Sequence, residues 1–180
     1  MLIGEKVRLR PIERSDLAKI VEWRNKPRVL RNLFSFLPLS MAQQERWFEQ
    51  YLTRQNELMF IIESEEGIPI GTIGLNNIDY KNARAEYGRK IIGEDAYLGR
   101  GYATDAGRTL VRFAFQQMNM NRLYMETLAD NERTIHVCQK IGFRIEGTLR
   151  EAIFLDGAYR DILIMALLRR EWQEREINCS

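Results

Sequence analysis

The spacing of hydrophobic positions changes along the chain, and each change marks a new element. Val7 and Leu9 alternate with Arg8 and Arg10, the period of a half-buried strand that stops at Pro11. Leu17, Ile20, Val21 and Trp23 then recur at helical spacing behind Ser15 or Asp16 as a cap, and Asn25-Lys26-Pro27 breaks that helix. A short helical piece runs into Leu33, Phe34, Phe36 and Leu37. Ser40 and Gln43 have capping-box spacing ahead of a helix with Trp47, Phe48, Tyr51 and Leu52 on its apolar side. Apolar strands follow over 58–62, 70–78 and 86–92. From Ala103 the period is helical again, through Ala106, Leu110, Val111, Ala114 and Met118. A strand over 122–128 and a helix from about Asn131 to a cap at Gly142 come next. Asp156-Gly157 between two apolar strands is a hairpin signal. The predicted order is strand, helices, three strands, helix, strand, helix and a terminal hairpin.

Between the third of the three strands and its helix lies Leu98-Gly99-Arg100-Gly101-Tyr102-Ala103-Thr104-Asp105-Ala106-Gly107. A Gly-rich turn at this junction leaves backbone N–H groups bare at the positive end of a helix, a seat for phosphate. An NTPase phosphate loop requires Gly-Lys, a pair the chain lacks. A dinucleotide turn, with Gly99, Gly101 and Thr104 at its three positions, belongs near the start of a parallel domain rather than after several strands.

Composition narrows the class. The 180 residues, 45% of them apolar, suit a single domain over 1–180 with a substantial core, and a net charge of +2 points to neither nucleic acid nor membrane. Cys138 and Cys179 form no disulfide framework and have no metal-ligand spacing, so a reducing cytoplasm and no metal are expected. The start, with Glu5, Lys6, Arg8 and Arg10, has no apolar leader, and the run from Ile162 to Leu168 falls short of the ~20 residues that span a bilayer.

The run Leu98 to Ala103 resembles the pyrophosphate loop of the GNAT superfamily of acyl-CoA-dependent N-acetyltransferases, Gln/Arg-x-x-Gly-x-Gly/Ala, with Leu98 in first place. Asn131-Glu132-Arg133-Thr134-Ile135 through Gly142-Phe143 looks like that family's Asn-x-x-Ser/Ala-Ile-x-x-Tyr-x-x-x-Gly-Phe segment, with Cys138 where Tyr is usual. Val7 to Pro11 and Asp156 to Asp161 look like the branch of ribosomal-protein and spermidine N-acetyltransferases. The resemblance covers nearly the whole chain. It implies an α/β (α+β) GNAT fold, a mixed, mostly antiparallel splayed sheet flanked by helices. The implied activity is direct attack of a primary amine on acetyl-CoA, with the acceptor a protein N-terminus, a small amine or a polyamine. The implied partners are acetyl-CoA, the amine and a second copy in a homodimer.

Acetyl transfer needs a held thioester, a donor to its carbonyl oxygen, a base for the ammonium proton and a way to release thiolate. By resemblance, the backbone from Leu98 through Gly99, Arg100, Gly101, Tyr102 and Ala103 to Thr104 holds pyrophosphate, with the Arg100 side chain as a further contact. Ile91 or Ile92 meets the pantetheine arm, and Asn131 bonds the cofactor, caps its helix, or both. Alternation puts Glu126 beside Tyr124 and Leu128, and partial desolvation in an apolar strand would raise its pKa toward that of a general base; it also stands five residues before Asn131, as the base does in ribosomal-protein alanine N-acetyltransferases. Glu86 is the reserve. Cys138 is a thiol acid, a spacer, or a sign that no acid is needed; no His or Lys near it in sequence activates it, since His136 and Lys140 fall on other helix faces. The substrate walls are expected from Trp23 to Phe36 and from Phe154 to Asp161. Tyr159 with Asp161 suits a cationic amine, whereas Trp23, Arg24 and the run to Phe36 also resemble acetyltransferases of nucleotide-linked amino sugars, where an Arg meets phosphate. A CoA-binding module without turnover is the alternative outside enzymes.

Overall fold

The computed structural model describes residues 1–35 and 37–179, with side chains as far as residue 177. One sheet of eight strands runs in the order β1-β2-β3-β4-β5-β6-β8-β7. These are β1 (Leu2–Ile3), β2 (Val7–Pro11), β3 (Leu58–Ser64), β4 (Pro69–Asp79), β5 (Arg84–Ile92), β6 (Arg122–Leu128), β7 (Arg144–Leu155) and β8 (Ala158–Leu168). Helices α1 (Leu17–Asn25), α2 (Pro27–Leu30) and α3 (Met41–Thr53) precede β3. Helix α4 (Tyr102–Gln116) joins β5 to β6, α5 (Glu132–Ile141) joins β6 to β7, and α6 (Arg169–Cys179) follows β8.

Every neighbouring pair is antiparallel except β5 with β6, which run parallel and meet only at Arg84–Arg122, Ala85–Leu123 and Glu86–Tyr124. Past Glu86 and Tyr124 the two strands part. Register between β4 and β5 slips from Thr72–Ile91 to Gly74–Gly88, placing an extra residue on β5. Arg89 there has φ +52°, and the Thr72 hydroxyl donates to its carbonyl at 2.8 Å. A bulge of this kind bends its strand and sharpens its twist, here away from β6.

Period-two alternation divides the core between two faces. Phe60 and Ile62 of β3 join Ile73, Tyr87 and Leu123 against Ala106, Leu110, Val111 and Ala114 of α4. Met59 and Ile61 turn the other way, with Ile91, against Leu17, Ile20 and Trp23 of α1 and Phe48 of α3. Helix α4 lies so close to its neighbours that a Cβ on Gly107 would stand 2.3 Å from Ile141 and 2.6 Å from the Tyr87 hydroxyl.

The Ser40 capping box forms, with Gln43 N donating to Ser40 Oγ at 3.2 Å and Ser40 N to Gln43 Oε1 at 2.9 Å. Asp156 and Gly157 take φ of +52° and +80°, the backbone a two-residue hairpin needs. Asp16 does not cap α1: its carboxylate accepts from Glu13 N at 2.8 Å and from Arg10 at 2.7 and 2.8 Å, closing a 3₁₀ turn first. Sequence periodicity also missed α6, whose buried Trp172 packs on Phe115 with ring centroids 5.6 Å apart. Among the described residues no helix is long and apolar enough to cross a membrane.

Candidate active site

Gly99 and Gly101 have φ of +73° and +90°, and Gly101 is the N-cap of α4. These angles peel the chain away from the helix axis and leave the amides of residues 99–103 with no partner among the described residues. Thr104 is a correction to the expected seat, because its amide already donates to Gly101 O at 3.1 Å as the helix's first turn closes. Tyr102 is buried, its ring against Tyr97 at 5.1 Å, so it contributes backbone alone. The Arg100 side chain donates to Ala96 O at 3.2 Å instead of standing free for a ligand. Asp105 fixes the loop from below, its carboxylate accepting from Glu5, Lys6 and Val7 amides at 3.2, 2.8 and 3.1 Å.

Two cavities open from the parting of β5 and β6. The first, of about 580 Å³, has Leu98, Ala103, Ile92, Leu128 and Val137 along it, and Arg31 and Arg133 on its wall. Neither guanidinium has an ion pair among the described residues. Bare helix-end amides, two guanidinium groups without ion pairs and the edge of β5 that β6 has left, where Ile92 O accepts from Arg28 at 3.0 Å, fit a long, phosphate-bearing, amide-bearing thioester such as acetyl-CoA. The second cavity, of about 530 Å³, is lined by Arg24, Trp47, Glu57, Glu86, Arg89 and Glu126 among others. The cavities share Asn32, Leu33, Lys90, Ile91, Asn131 and Thr134. Asn131 borders each cavity and caps α5, accepting from Thr134 N at 3.2 Å.

Glu86 and Glu126 both face the second cavity. Glu86 Oε2 accepts from Asn77 Nδ2 at 2.7 Å. The desolvation expected at Glu126 is absent, since the residue is exposed where β5 has left its side. Tyr124 beside them has its phenol pushed up, by burial first and then by the Glu86 charge.

Cys138 is fully buried and borders neither cavity. Its thiol lies 3.1 Å from Met125 Sδ. A lysine does reach it, contrary to expectation: Lys90 Nζ, arriving from β5, donates to Sγ at 3.7 Å. Burial pushes the thiol up and Lys90 only partly offsets this. No nucleophilic thiolate is prepared here.

The expected substrate walls need larger correction. Trp23 is core: it is 1% exposed, donates to Glu94 Oε1 at 3.0 Å, and lies where a Cβ on Gly93 would come within 2.1 Å of its ring. Tyr159 is 66% exposed on the outer hairpin, against Phe154 at 5.2 Å. Asp161 Oδ1 accepts from Glu151 N at 2.8 Å, fixing a bulge of β7. The hairpin points past the end of β6 and supplies Leu155, Asp156 and Arg160 to the first cavity instead. Phe36 lies outside the described residues. Arg24 does line the acceptor cavity, half-buried, with no ion pair or hydrogen bond from its guanidinium among the described residues; burial and then the Arg89 charge push its pKa down.

Sequence reasoning missed Trp47, Glu57, Arg89 and Lys90. Trp47 looked like core, and its buried Nε1 has no partner among the described residues. Glu57 Oε2 accepts from Arg54 at 2.9 Å and its other oxygen stands 3.1 Å from Arg89. The one available signal was the adjacent cations Arg89-Lys90 just before the apolar end of β5 at Ile91 and Ile92.

The Acetyltransferase (GNAT) domain family matches residues 6–144. The spermidine N(1)-acetyltransferase of Escherichia coli (strain K12) is 30% identical over 166 residues, covering 92% of this chain and 88% of that one. YdaF of Bacillus subtilis (strain 168), provisionally named a ribosomal N-acetyltransferase, is 30% identical over 179 residues, covering 95% of this chain and 96% of that one. The crystal structure of a spermidine N-acetyltransferase from Vibrio cholerae with CoA and spermine superposes with a TM-score of 0.87 at 26% identity, over 94% of this chain and 99% of that one. The chain belongs to the GNAT family of acetyl-CoA-dependent N-acetyltransferases.

Proposed function

We propose that the chain, acting as one domain in the cytoplasm, acetylates a small polycationic primary amine of the spermidine kind. The observation that carries this reading is the pair of carboxylates, Glu86 and Glu126, facing one cavity at the point where β5 and β6 part. An amine extended along that wall keeps one ammonium on Glu86 while another is deprotonated at Glu126. The spermidine N(1)-acetyltransferase among its relatives supports the same acceptor. In the reaction Glu126 passes the ammonium's proton on to water, the freed amine's lone pair forms the C–N bond, the C–S bond breaks with its electron pair on sulfur, and Glu126 then takes the proton that the acylated nitrogen sheds. The amides of residues 99–103 hold phosphate, and the backbone at Ile91 and Ile92 aligns the thioester arm.

One observation favours a second acceptor class. Arg24 and Trp47 Nε1 are donors without partners among the described residues, in or behind the same cavity, as a carboxylate- or phosphate-bearing amine would require. Self-association is supported by the edge strand β7, which exposes Ile145, Leu149 and Phe154. CoA release against polyamines, N-terminal peptides and nucleotide-linked amino sugars tests the reading. Polyamines are expected to give the highest kcat/KM; amino sugars doing so would shift the assignment to the Arg24 reading, and tight CoA binding without turnover would remove catalysis altogether.

A further inference from the structure

The residue at the expected acid position, Cys138, is sealed from both cavities. The amine comes from one cavity and the thioester from the other, so the breaking C–S bond belongs at their junction. Six residues form that junction, and Lys90 alone among them is charged. Its ammonium is held in place, 3.7 Å from Cys138 Sγ on α5 and 5.6 Å from the Tyr87 ring centre on its own strand. No carboxylate among the described residues forms an ion pair with it. Thr134 and Asn131 from α5 and Glu126 from β6 share the cavity wall with it. A half-buried cation whose contacts among the described residues are a thiol and an aromatic face has its charge available to an incoming anion.

We infer that Lys90 is the catalytic residue that stabilises the departing CoA thiolate, replacing the helix-borne acid that Cys138 does not provide. The inference rests on the acetyl-transfer reading above. As nitrogen bonds to the carbonyl carbon, the C–S pair collapses onto sulfur and the negative charge develops beside Nζ. Alkylammonium groups hold protons more tightly than thiols, about 10.4 against about 8.5. Lys90 acts by charge and hydrogen bond, while the amine's proton goes to Glu126. Sulfur takes its own proton from water on release. Cys138 then acts through Lys90, as the polarizable rest that holds Nζ at the junction.

Two measurements test this. In steady state, Lys90→Met should lower kcat by about 10²-fold, the size of losing one preorganised donor to a transition-state anion. KM for acetyl-CoA should stay within about threefold, because the thioester sulfur is neutral before reaction; Lys90→Arg should recover most of the rate. The second measurement needs no turnover. The thiolate absorbance of CoA bound to the wild-type protein is followed across pH beside free CoA and CoA bound to Lys90→Met. Bound to the wild type, the thiol should titrate at least about one pH unit below free CoA, and the shift should vanish with Lys90→Met. A wild-type-bound thiol that titrates with free CoA, or a Lys90→Met enzyme with unchanged kcat, overturns the inference. If Lys90→Met does not fold, the wild-type titration still decides. If no amine is acetylated, the enzyme reading fails while the titration continues to report on Lys90.

Discussion

Gly101→Val separates cofactor binding from folding more cleanly than any other single change. Gly101 has φ of +90°, and an added Cβ would meet only Lys6 Nζ at 3.9 Å. Space therefore does not oppose the substitution; backbone energetics do, by roughly 1–2 kcal/mol for an L-residue held left-handed. A β-branched side chain relieves that strain by returning to negative φ, which rotates the peptides on either side and re-aims the amides of residues 101 and 102. Hydrogen bonds to a charged acceptor contribute about 1.5–3 kcal/mol each. Two lost bonds amount to about 3–6 kcal/mol, a weakening of about 10²–10⁴-fold in affinity for acetyl-CoA. Calorimetric titration reads the binding, and thermal melting reads the fold, whose midpoint should drop by about 2–8 °C. Gly93→Ala is the opposing control: its Cβ would lie 2.1 Å from the Trp23 ring, so stability suffers through the α1 core while the loop glycines stay intact. A folded Gly101→Val protein with wild-type affinity would refute the phosphate-loop assignment.

Other perturbations probe the remaining assignments. Glu126→Gln should lower kcat by roughly 10²–10⁴-fold with little change in KM for acetyl-CoA, and the deficit should shrink at high pH, where free amine needs no base; a fully active variant at neutral pH would move the role to Glu86 or water. Cys138→Ala should cost less than the ~10²-fold typical of a proton-transfer residue, and intact-mass spectrometry with acetyl-CoA alone should find no acetyl adduct on the wild type; a dischargeable adduct on Cys138 would replace direct attack by a covalent route. Burial pushes the Asp16 carboxyl up, but the Arg10 hydrogen bonds, the Glu13 amide and the Arg10 charge together set it below the ordinary 3.8. Its stabilisation is present above that value and lost as pH falls through the lower folded one, so Asp16→Asn should flatten the acid limb of the stability curve; an unchanged limb would show that the pair contributes nothing.

Local rules carried the sequence as far as they reach. The alternation of Val7 and Leu9, the Ser40–Gln43 box, the Asp156-Gly157 hairpin and the two loop glycines all concern residues within a few positions of one another, and each appears where expected. Trp23 was misplaced because helical spacing identifies an apolar face without saying whether it meets core or cavity; the bare Cα of Gly93, seventy residues on, decided that. Tyr159 and Asp161 were misplaced because β7 carries bulges that direct the hairpin, and a bulge has no simple signature in one strand. Lys90 escaped notice since its meaning depends on Cys138 of another element. Residues whose chemistry depends on nonlocal approach are those a single sequence conceals.

The site follows from how the sheet is divided. Strand β6 pairs with β8 in unbroken register from Arg122–Leu168 to Leu128–Ile162, and so follows the twist of the β8–β7 pair. Strand β5 is held to β4, with Thr72 clamping the Arg89 bulge. Three parallel pairs join these halves, too few to impose a common twist, so the strands separate at Glu86 and Tyr124. Separation leaves two lips of backbone with unmet hydrogen-bonding capacity, a cost that water meets while the lips are wet. An extended arm bearing amides can replace that water and complete the sheet; under the proposed reading that direction brings its far end to Lys90. The same parting exposes Glu126, which continuous pairing would have placed beside a β5 neighbour. One bulged residue on β5 thus connects the parting of the strands, the uncovered Glu126 carboxylate and Lys90 between the two cavities.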